Sequence, residues 1–188
     1  PFSKYNTYRK MRIISHRANL NGPSENYSEF KILKVLKMGF DIEIDVRCDS
    51  NRLWVGHDHP DFLLPKDVTS NDMISRIWFH AKDPASVEML PEHALVFCHA
   101  DDDFVIVSGD KRIVWLHPKF NSQIDDLVAS GSISPGRTTV LDVAGHPRID
   151  PEKFVEKGHR FMGVCTDWPI DWLQFFVSNL QKNFKASK

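Results

Sequence analysis

Asp41-Ile42-Glu43-Ile44-Asp45-Val46-Arg47 alternates charged and apolar residues along its whole length. A period of two is typical of a β-strand, in which side chains two positions apart point to the same side. Glu43 and Asp45 are therefore expected to project together, away from the apolar set. Two carboxylates repel each other unless a positive charge lies between them, and a divalent cation is the natural candidate. A solvent-facing strand would show the same alternation, so the rest of the chain must decide between these interpretations.

Strand-like and helix-like segments alternate along the remainder of the chain. Strands are predicted at 12–18, 41–47, 77–82, 94–98, 112–116, 139–143 and 161–166, with weaker ones at 51–57 and 104–107. Helices are predicted at 26–38, 71–76, 84–90, 125–130, 152–157 and 169–183. The alternation indicates an α/β fold, a compact or incomplete (β/α)8 TIM-type barrel with about seven or eight parallel strands. An open doubly wound sheet is the alternative.

The first predicted helix has the clearest local signals. Ser24 is a candidate N-cap and Gly39 a candidate end of the helix. Apolar residues recur at helical spacing along it, at Tyr27, Phe30, Leu33 and Leu36.

Length, charge and cysteine content limit the classes of protein to which the chain can belong. The 188 residues carry a formal net charge of −1, so no general attraction to nucleic acid is indicated. A single domain is predicted over 11–188, with 1–10 as a leader or short extension. No apolar run approaches the roughly 20 residues that a membrane span needs. Three cysteines without metal-site spacing (Cys48, Cys98 and Cys165) indicate reduced thiols and a cytoplasmic protein.

Two further segments place basic residues at predicted strand ends. Ile13-Ile14-Ser15-His16-Arg17 ends the first strand with a histidine and an arginine, and Gly56-His57-Asp58 follows the weaker strand at 51–57. Histidine titrates near neutral pH, and arginine grips phosphate oxygens in pairs. These pieces together indicate an enzyme that acts on phosphate. Arg17 could instead be a purely structural ion-pair partner of the two acids, and His59 is a rival to His57.

Four short motifs resemble, in this order, those of the glycerophosphodiester phosphodiesterases, a family of the phospholipase-C-like phosphodiesterase superfamily. They are His16-Arg17, Glu25-Asn26 before a helix, Glu43-Ile44-Asp45 followed by His57-Asp58, and Gly163-Val164-Cys165-Thr166-Asp167-Trp168-Pro169. The resemblance is strong over about 13–58 and at the C-terminal motif, and weak between them. One β/α unit is expected to be missing between the fifth and sixth strands.

The resemblance implies a metal-dependent phosphoric diester hydrolase of lipid metabolism, acting on a small-molecule phosphodiester. His16 and His57 would be the catalytic acid and base, and Arg17 and Lys82 would bind the substrate phosphate. A substrate hydroxyl would attack phosphorus to form a cyclic phosphate, which water then opens.

The resemblance also implies one divalent metal ion, held by Glu43 and Asp45. The family's third ligand is a glutamate in a Glu-x-Lys pattern, and here His80-Ala81-Lys82 stands at that place. Mg²⁺ or Ca²⁺ is expected from the carboxylates, with Mn²⁺, Co²⁺ or Zn²⁺ as alternatives because of His80.

Several other residues are weaker candidates. His99 and Asp142 follow or end predicted strands and could contact substrate, whereas His93, His117, His146 and His159 are assigned to loops and helix ends. The run Asp101-Asp102-Asp103 is interpreted as a solvated turn. Two other functions stay open: a lyase of phospholipase D type that releases the cyclic phosphate, and a catalytically silent barrel that binds a phosphorylated ligand.

Overall fold

The structure, a computed structural model, describes residues 11–24, 27–69, 71–99, 102–108, 112–158 and 160–186. The predicted leader, the Glu25-Asn26 motif, Asp101 and His159 lie outside these residues. The described residues form ten strands: β1 (Arg12–His16), β2 (Asp41–Asp49), β3 (Arg52–Val55), β4 (Phe62–Leu63), β5 (Ile77–Ala81), β6 (Leu95–Phe97), β7 (Phe104–Val107), β8 (Ile113–Leu116), β9 (Thr138–Asp142) and β10 (Gly163–Thr166).

The helices lie between these strands and after the last of them. The α-helices are α1 (Glu29–Lys37), α2 (Asn71–Ile74), α3 (Pro84–Met89), α4 (Ile124–Ala129), α5 (Pro151–Glu156) and α6 (Pro169–Ala186). Short 3-10 helices cover Lys66–Thr69, Pro118–Gln123 and Pro135–Arg137. None of the helices in the described ranges is long and apolar enough to cross a membrane.

The strands form one curled sheet that resembles a partial TIM-type barrel. Its order is β6-β5-β2-β1-β10-β9-β8, and every neighbouring pair in this series is parallel. β7 runs antiparallel to β8, and β3 and β4 add an antiparallel extension to β2. The α/β class is confirmed and seven strands are parallel to one another as expected, but the sheet is mixed because β3, β4 and β7 are antiparallel to their neighbours. Only five residues separate the end of β7 from the start of β8, which is too short for a parallel crossover.

The two ends of the curled sheet meet through Ser108. Its backbone N–H donates to the Val96 carbonyl at 2.7 Å, and its Oγ accepts from the Val96 N–H at 3.1 Å. These bonds link the end of β7 to β6 without a regular ladder. The curl brings the carboxyl ends of the parallel strands around one shared opening, the end at which barrel enzymes carry their sites.

The alternation in β2 divides its residues between two environments, as predicted. Ile42, Ile44 and Val46 are fully buried in a cluster that includes the apolar residues of α1. Glu43 and Asp45 point the other way, into the curled sheet. Because one face of the strand is needed for the helix layer, both acids are forced into the interior.

Helix α1 differs from its prediction at the N-terminal end. It begins at Glu29, and Ser28 is the N-cap, because its hydroxyl accepts from the Lys31 N–H at 3.4 Å. Ser24 instead accepts from the Lys31 Nζ at 2.7 Å. The predicted apolar stripe is also wrong at Phe30, which is 74% exposed. Since the helix starts late, its buried face is carried by Ile32, Val35 and Leu36.

The first prediction concerns the contact between Ser108 and Val96 that joins the two ends of the sheet. Ser108→Ala keeps the backbone bond but removes the acceptor for the Val96 N–H, so the free energy of unfolding should fall by about 1 kcal/mol. Amide hydrogen exchange at Val96 should become faster. Ser130→Ala is the control, because the Ser130 hydroxyl bonds only within the end of α4 and the turn that follows. An unchanged rate of amide hydrogen exchange at Val96 in Ser108→Ala would show that the contact between β6 and β7 does not depend on this hydroxyl.

Candidate active site

Parallel register brings the predicted site residues together at the carboxyl ends of three strands. On one side of β2, Glu43 pairs in register with His16 of β1. On the other side, Asp45 pairs with His80 of β5. Residues in register on neighbouring strands project to the same face of the sheet. The four side chains therefore meet inside the curled sheet although they are far apart in the sequence.

Asp45 lies at the centre of this group. Its side chain is fully buried, and three nitrogen atoms approach its carboxylate: the Nε of Arg17 at 2.8 Å, the Nζ of Lys82 at 2.9 Å and the Nδ1 of His80 at 2.9 Å. Burial alone would raise the pKa of Asp45, but the contact with His80 and the charges of Arg17 and Lys82 lower it well below its ordinary value. Asp45 is therefore ionised.

Glu43 completes the pair of acids. It is 2% exposed, and its carboxylate accepts from the Arg17 backbone N–H at 3.3 Å. Burial and the neighbouring Asp45 charge raise the pKa of Glu43, against the opposing effects of His16, His80 and Arg17. A second negative charge at this position is thus costly, and an additional cation would relieve that cost.

The group Glu43, Asp45 and His80 has the features of a metal site. One ligand atom from each lies within 4.8 Å of the others, and all three residues are buried. Among the described residues, neither carboxylate oxygen of Asp45 has a partner with hydrogen-bond geometry, despite the short ion-pair distances. The Nε of Arg17 and the hydroxyl of Tyr27, both buried, are unpaired in the same sense. Buried polar atoms are normally satisfied, so this arrangement fits a divalent ion.

His16 is oriented by a residue that the sequence did not pair with it. Its Nδ1 lies 2.7 Å from the Oδ1 of Asp167, which follows β10. Asp167 is held in turn by the Asn19 side chain and by the Ala144 backbone N–H, each at 2.7 Å. The motif that contains Asp167 was visible in the sequence, but a pair 151 residues apart was not.

The His16–Asp167 pair shifts the pKa of both groups. Burial would lower the pKa of His16, but the hydrogen bond to Asp167 and the charge of Glu43 outweigh it and raise the pKa. Burial would raise the pKa of Asp167, yet its bond to His16 lowers it. The imidazole therefore holds its proton more tightly than a free histidine does.

A strained turn sets the direction of Arg17. Arg17 and Ala18 have φ angles of 49° and 60°, in the left-handed region that residues other than glycine avoid. The turn is held by the Asn19 N–H, which donates to the His16 carbonyl at 2.9 Å, and by the Ser15 hydroxyl, which donates to the Asn19 carbonyl at 2.7 Å. Strain of this kind is concentrated at functional sites.

His57 reaches the site from the loop after β3. Gly56 precedes it, and a Cβ there would lie 1.9 Å from the His59 carbonyl, so only glycine fits this turn. The Nδ1 of His57 lies 2.8 Å from Asp58 Oδ1, and the side chain is 42% exposed. His59 is 78% exposed and pairs with Asp61. His57 borders the cavity described next, and His59 does not.

These residues surround one cavity of about 1040 Å³. Of the predicted site residues, Asp45 alone lies beneath it; the others line it, namely His16, Arg17, Glu43, His57, His80 and Lys82. His99, His117 and His146 also line it, the last two from loops, as predicted. Apolar side chains also line it, among them Phe97 and Trp115. The predicted residues thus share one site, while their roles remain predictions.

Asp142, a candidate for substrate contact in the sequence, is not among the residues that line the cavity. It is fully buried and accepts from Arg148, from the Ile149 N–H, from Thr166 and from the Nε1 of Trp172 at 3.0 Å. A substrate contact for Asp142 is therefore not supported, because its oxygens anchor the loop after β9 and the final helix.

Comparison with known proteins finds similarity among solved structures but not among family models or curated proteins. No protein-family model matches the chain, and no curated protein matches it. Among solved structures, the chain is similar to a glycerophosphodiester phosphodiesterase from Agrobacterium tumefaciens, at 16% identity over 86% of this chain and 97% of that chain, with a TM-score of 0.49. A similarity this distant assigns neither a family nor an activity, so the residues of the site must indicate the function.

The His16–Asp167 pair gives the second prediction, for the metal-free protein. Asp167→Asn should lower the pKa of His16, measured by NMR titration of its ring protons. Asp171→Asn is the control, since that exposed carboxylate lies near Arg148 instead.

The same variant tests the sign of the pH dependence. The raised pKa of His16 stabilises the fold below its ordinary value of about 6.5, and this contribution is lost as the pH rises through the raised value. The lowered pKa of Asp167 stabilises the fold above about 3.8 and is lost as the pH falls. Asp167→Asn should therefore lower the free energy of unfolding, measured with urea, most strongly between about pH 4 and 6.5. An equal decrease in the free energy of unfolding at pH 5 and at pH 9 would contradict an electrostatic interaction between His16 and Asp167.

Proposed function

We propose that this protein is a metal-dependent phosphodiesterase that hydrolyses a small phosphodiester. The observation that supports this most strongly is the composition of one cavity. It brings together the buried triad of Glu43, Asp45 and His80, the two cations of Arg17 and Lys82, and five further histidines, of which His16 and His57 are the candidates for proton transfer. Phosphodiester cleavage needs these three things: a cation for charge, donors that grip the phosphate, and groups that exchange protons.

Charge balance supports an anionic substrate only when an ion is bound. Glu43, Asp45 and Asp167 supply three negative charges, and Arg17 and Lys82 supply two positive ones. This inner group is thus one charge negative before any histidine is protonated, and Asp58, Asp61 and Asp102 line other parts of the cavity. A divalent cation would make it net positive, as a phosphodiester monoanion requires. When bound at the triad, such an ion would polarise the phosphoryl oxygens and offset their charge.

Arg17 and Lys82 are the candidates for gripping the phosphate. Both line the cavity, and each contacts Asp45 through one nitrogen. Asp45 therefore acts as a fixed anchor for the two cationic side chains. The remaining guanidinium donors of Arg17 suit two phosphate oxygens at once, and the ammonium of Lys82 adds a point charge.

His16 and His57 are the candidates for proton transfer. The Nδ1 of His16 is bound to Asp167, which leaves Nε2 as the nitrogen that exchanges a proton with substrate. The Nδ1 of His57 is bound to Asp58 in the same way. In the proposed reaction, a substrate hydroxyl beside the ester attacks phosphorus, one histidine takes its proton and the other protonates the leaving alcohol. Water then opens the resulting cyclic phosphate.

One observation favours a second candidate, a barrel that binds a phosphorylated ligand without turnover. The ammonium of Lys82 lies 3.0 Å from the Nδ1 of His80 and 2.9 Å from Asp45, so a protein cation already contacts two members of the triad. A lyase that stops at the cyclic phosphate is a variant of the main proposal. Phosphorus NMR of the products separates the two enzymes, because a persistent cyclic product excludes the hydrolase.

The third prediction tests the activity itself. The metal-free protein should be inactive on an aryl phosphodiester that carries a hydroxyl group beside the ester, and one of Mg²⁺, Ca²⁺, Mn²⁺, Co²⁺ or Zn²⁺ should restore turnover. His16→Ala should reduce the restored turnover by at least about 100-fold, because a general acid or base contributes that much. Its melting temperature should change little near pH 9, where the ion pair with Asp167 no longer contributes and Asp167 keeps its bonds to Asn19 and Ala144.

His59→Ala is the matched control, because it removes an exposed imidazole outside the cavity and should retain activity. No turnover with any of the five ions, in a protein whose fold is intact, would favour the silent barrel. Full activity in the His16 variant would show that the catalytic site lies elsewhere.

A further inference from the structure

His80 distinguishes this triad from a site built only of carboxylates. Its Nδ1 lies 2.9 Å from Asp45 Oδ1 and 3.7 Å from Glu43 Oε1. The strand register between β2 and β5 places it there, opposite Asp45. A nitrogen atom therefore stands among the four carboxylate oxygens at the only group of three or more potential ligands that the described part of the chain contains.

The imidazole of His80 is held firmly in this position. It stacks on Phe97 at a ring-centre distance of 4.9 Å, with the two planes 10° apart. It also stacks on His99 at 4.5 Å, with the planes 5° apart. Only 6% of the residue is exposed. Because parallel rings restrict its rotation, the ring is preorganised with Nδ1 toward the acids rather than free to turn away.

This donor set has a chemical preference. Ca²⁺ and Mg²⁺ take oxygen ligands, and Ca²⁺ affinity depends on the number of charged ligands. An imidazole supplies a neutral nitrogen, which suits Zn²⁺, Co²⁺ and similar ions. Two buried carboxylates with one fixed imidazole therefore offer less charge and fewer oxygens than a hard cation favours.

We propose that the triad selects a divalent transition-metal ion, such as Mn²⁺, Co²⁺ or Zn²⁺, over Mg²⁺ and Ca²⁺, with the Nδ1 of His80 as a direct ligand. This inference rests on the proposed function, because that function requires an ion at the triad. It adds the class of metal ion that binds and assigns the preference for that class to His80.

Two measurements that do not depend on activity test the inference. Isothermal titration of the metal-free protein should show tighter binding of Zn²⁺ and Co²⁺ than of Mg²⁺. His80→Glu should reduce the ratio between the Mg²⁺ and Zn²⁺ dissociation constants by at least about tenfold, because it replaces nitrogen with charged oxygen. His146→Gln is the matched control: it removes an imidazole from the same cavity but outside the triad, and should leave the ratio unchanged.

Pulsed electron paramagnetic resonance of the Mn²⁺-loaded protein gives the second measurement and needs no variant. Histidine labelled with nitrogen-15 should change the nitrogen coupling to bound Mn²⁺ in the wild type. His80→Glu should lose that coupling, and His146→Gln should keep it. Mn²⁺ that binds without nitrogen coupling, or an unchanged affinity ratio in His80→Glu, would overturn the inference and leave the metal-dependent function standing. Absence of binding by all five ions would contradict both.

Discussion

The burial of the Asp45 carboxylate is the constraint on which the site depends. A buried charge is tolerated only where opposite charges or polar groups compensate it, and Asp45 has the cations of Arg17 and Lys82 and the imidazole of His80 within 2.9 Å. Each of these comes from a different place: the turn after β1, the residue after β5, and β5 itself. The need to neutralise one carboxylate therefore gathers the phosphate-binding candidates and the third candidate metal ligand at one point. Because no contact to the Asp45 carboxylate within the described part of the chain has hydrogen-bond geometry, its two side-chain oxygens remain suited to an additional ion.

Local patterns in the sequence predicted the parts of this site that a single strand determines. The period of two in β2 correctly separated Glu43 and Asp45 from the apolar residues that face α1, because alternation is a property of the strand alone. The alternation of strands and helices likewise predicted the α/β class. Contacts between strands could not be predicted in this way. The pairing of Asp45 with His80 depends on register, and the bond from His16 to Asp167 joins opposite ends of the chain.

The predictions that were wrong or left open have physical causes of the same kind. The sequence left the direction of β7 open, and its antiparallel pairing follows from a five-residue connection to β8 that is too short for a parallel crossover. Helix α1 starts at Glu29 because Ser28 caps it, and two serines four residues apart are equivalent candidates in sequence. Asp142 was placed correctly at a strand end, but the partners that occupy its oxygens come from the following loop and the last helix.

The central claim is that Glu43, Asp45 and His80 together bind one divalent ion at the floor of the cavity. Anomalous diffraction near the manganese edge, from crystals of the protein grown with Mn²⁺, tests it most directly. A single strong anomalous peak within bonding distance of both carboxylates and of the His80 Nδ1 is the expected result. An ordered triad without a peak, whether Mn²⁺ binds elsewhere or not at all, would contradict the claim.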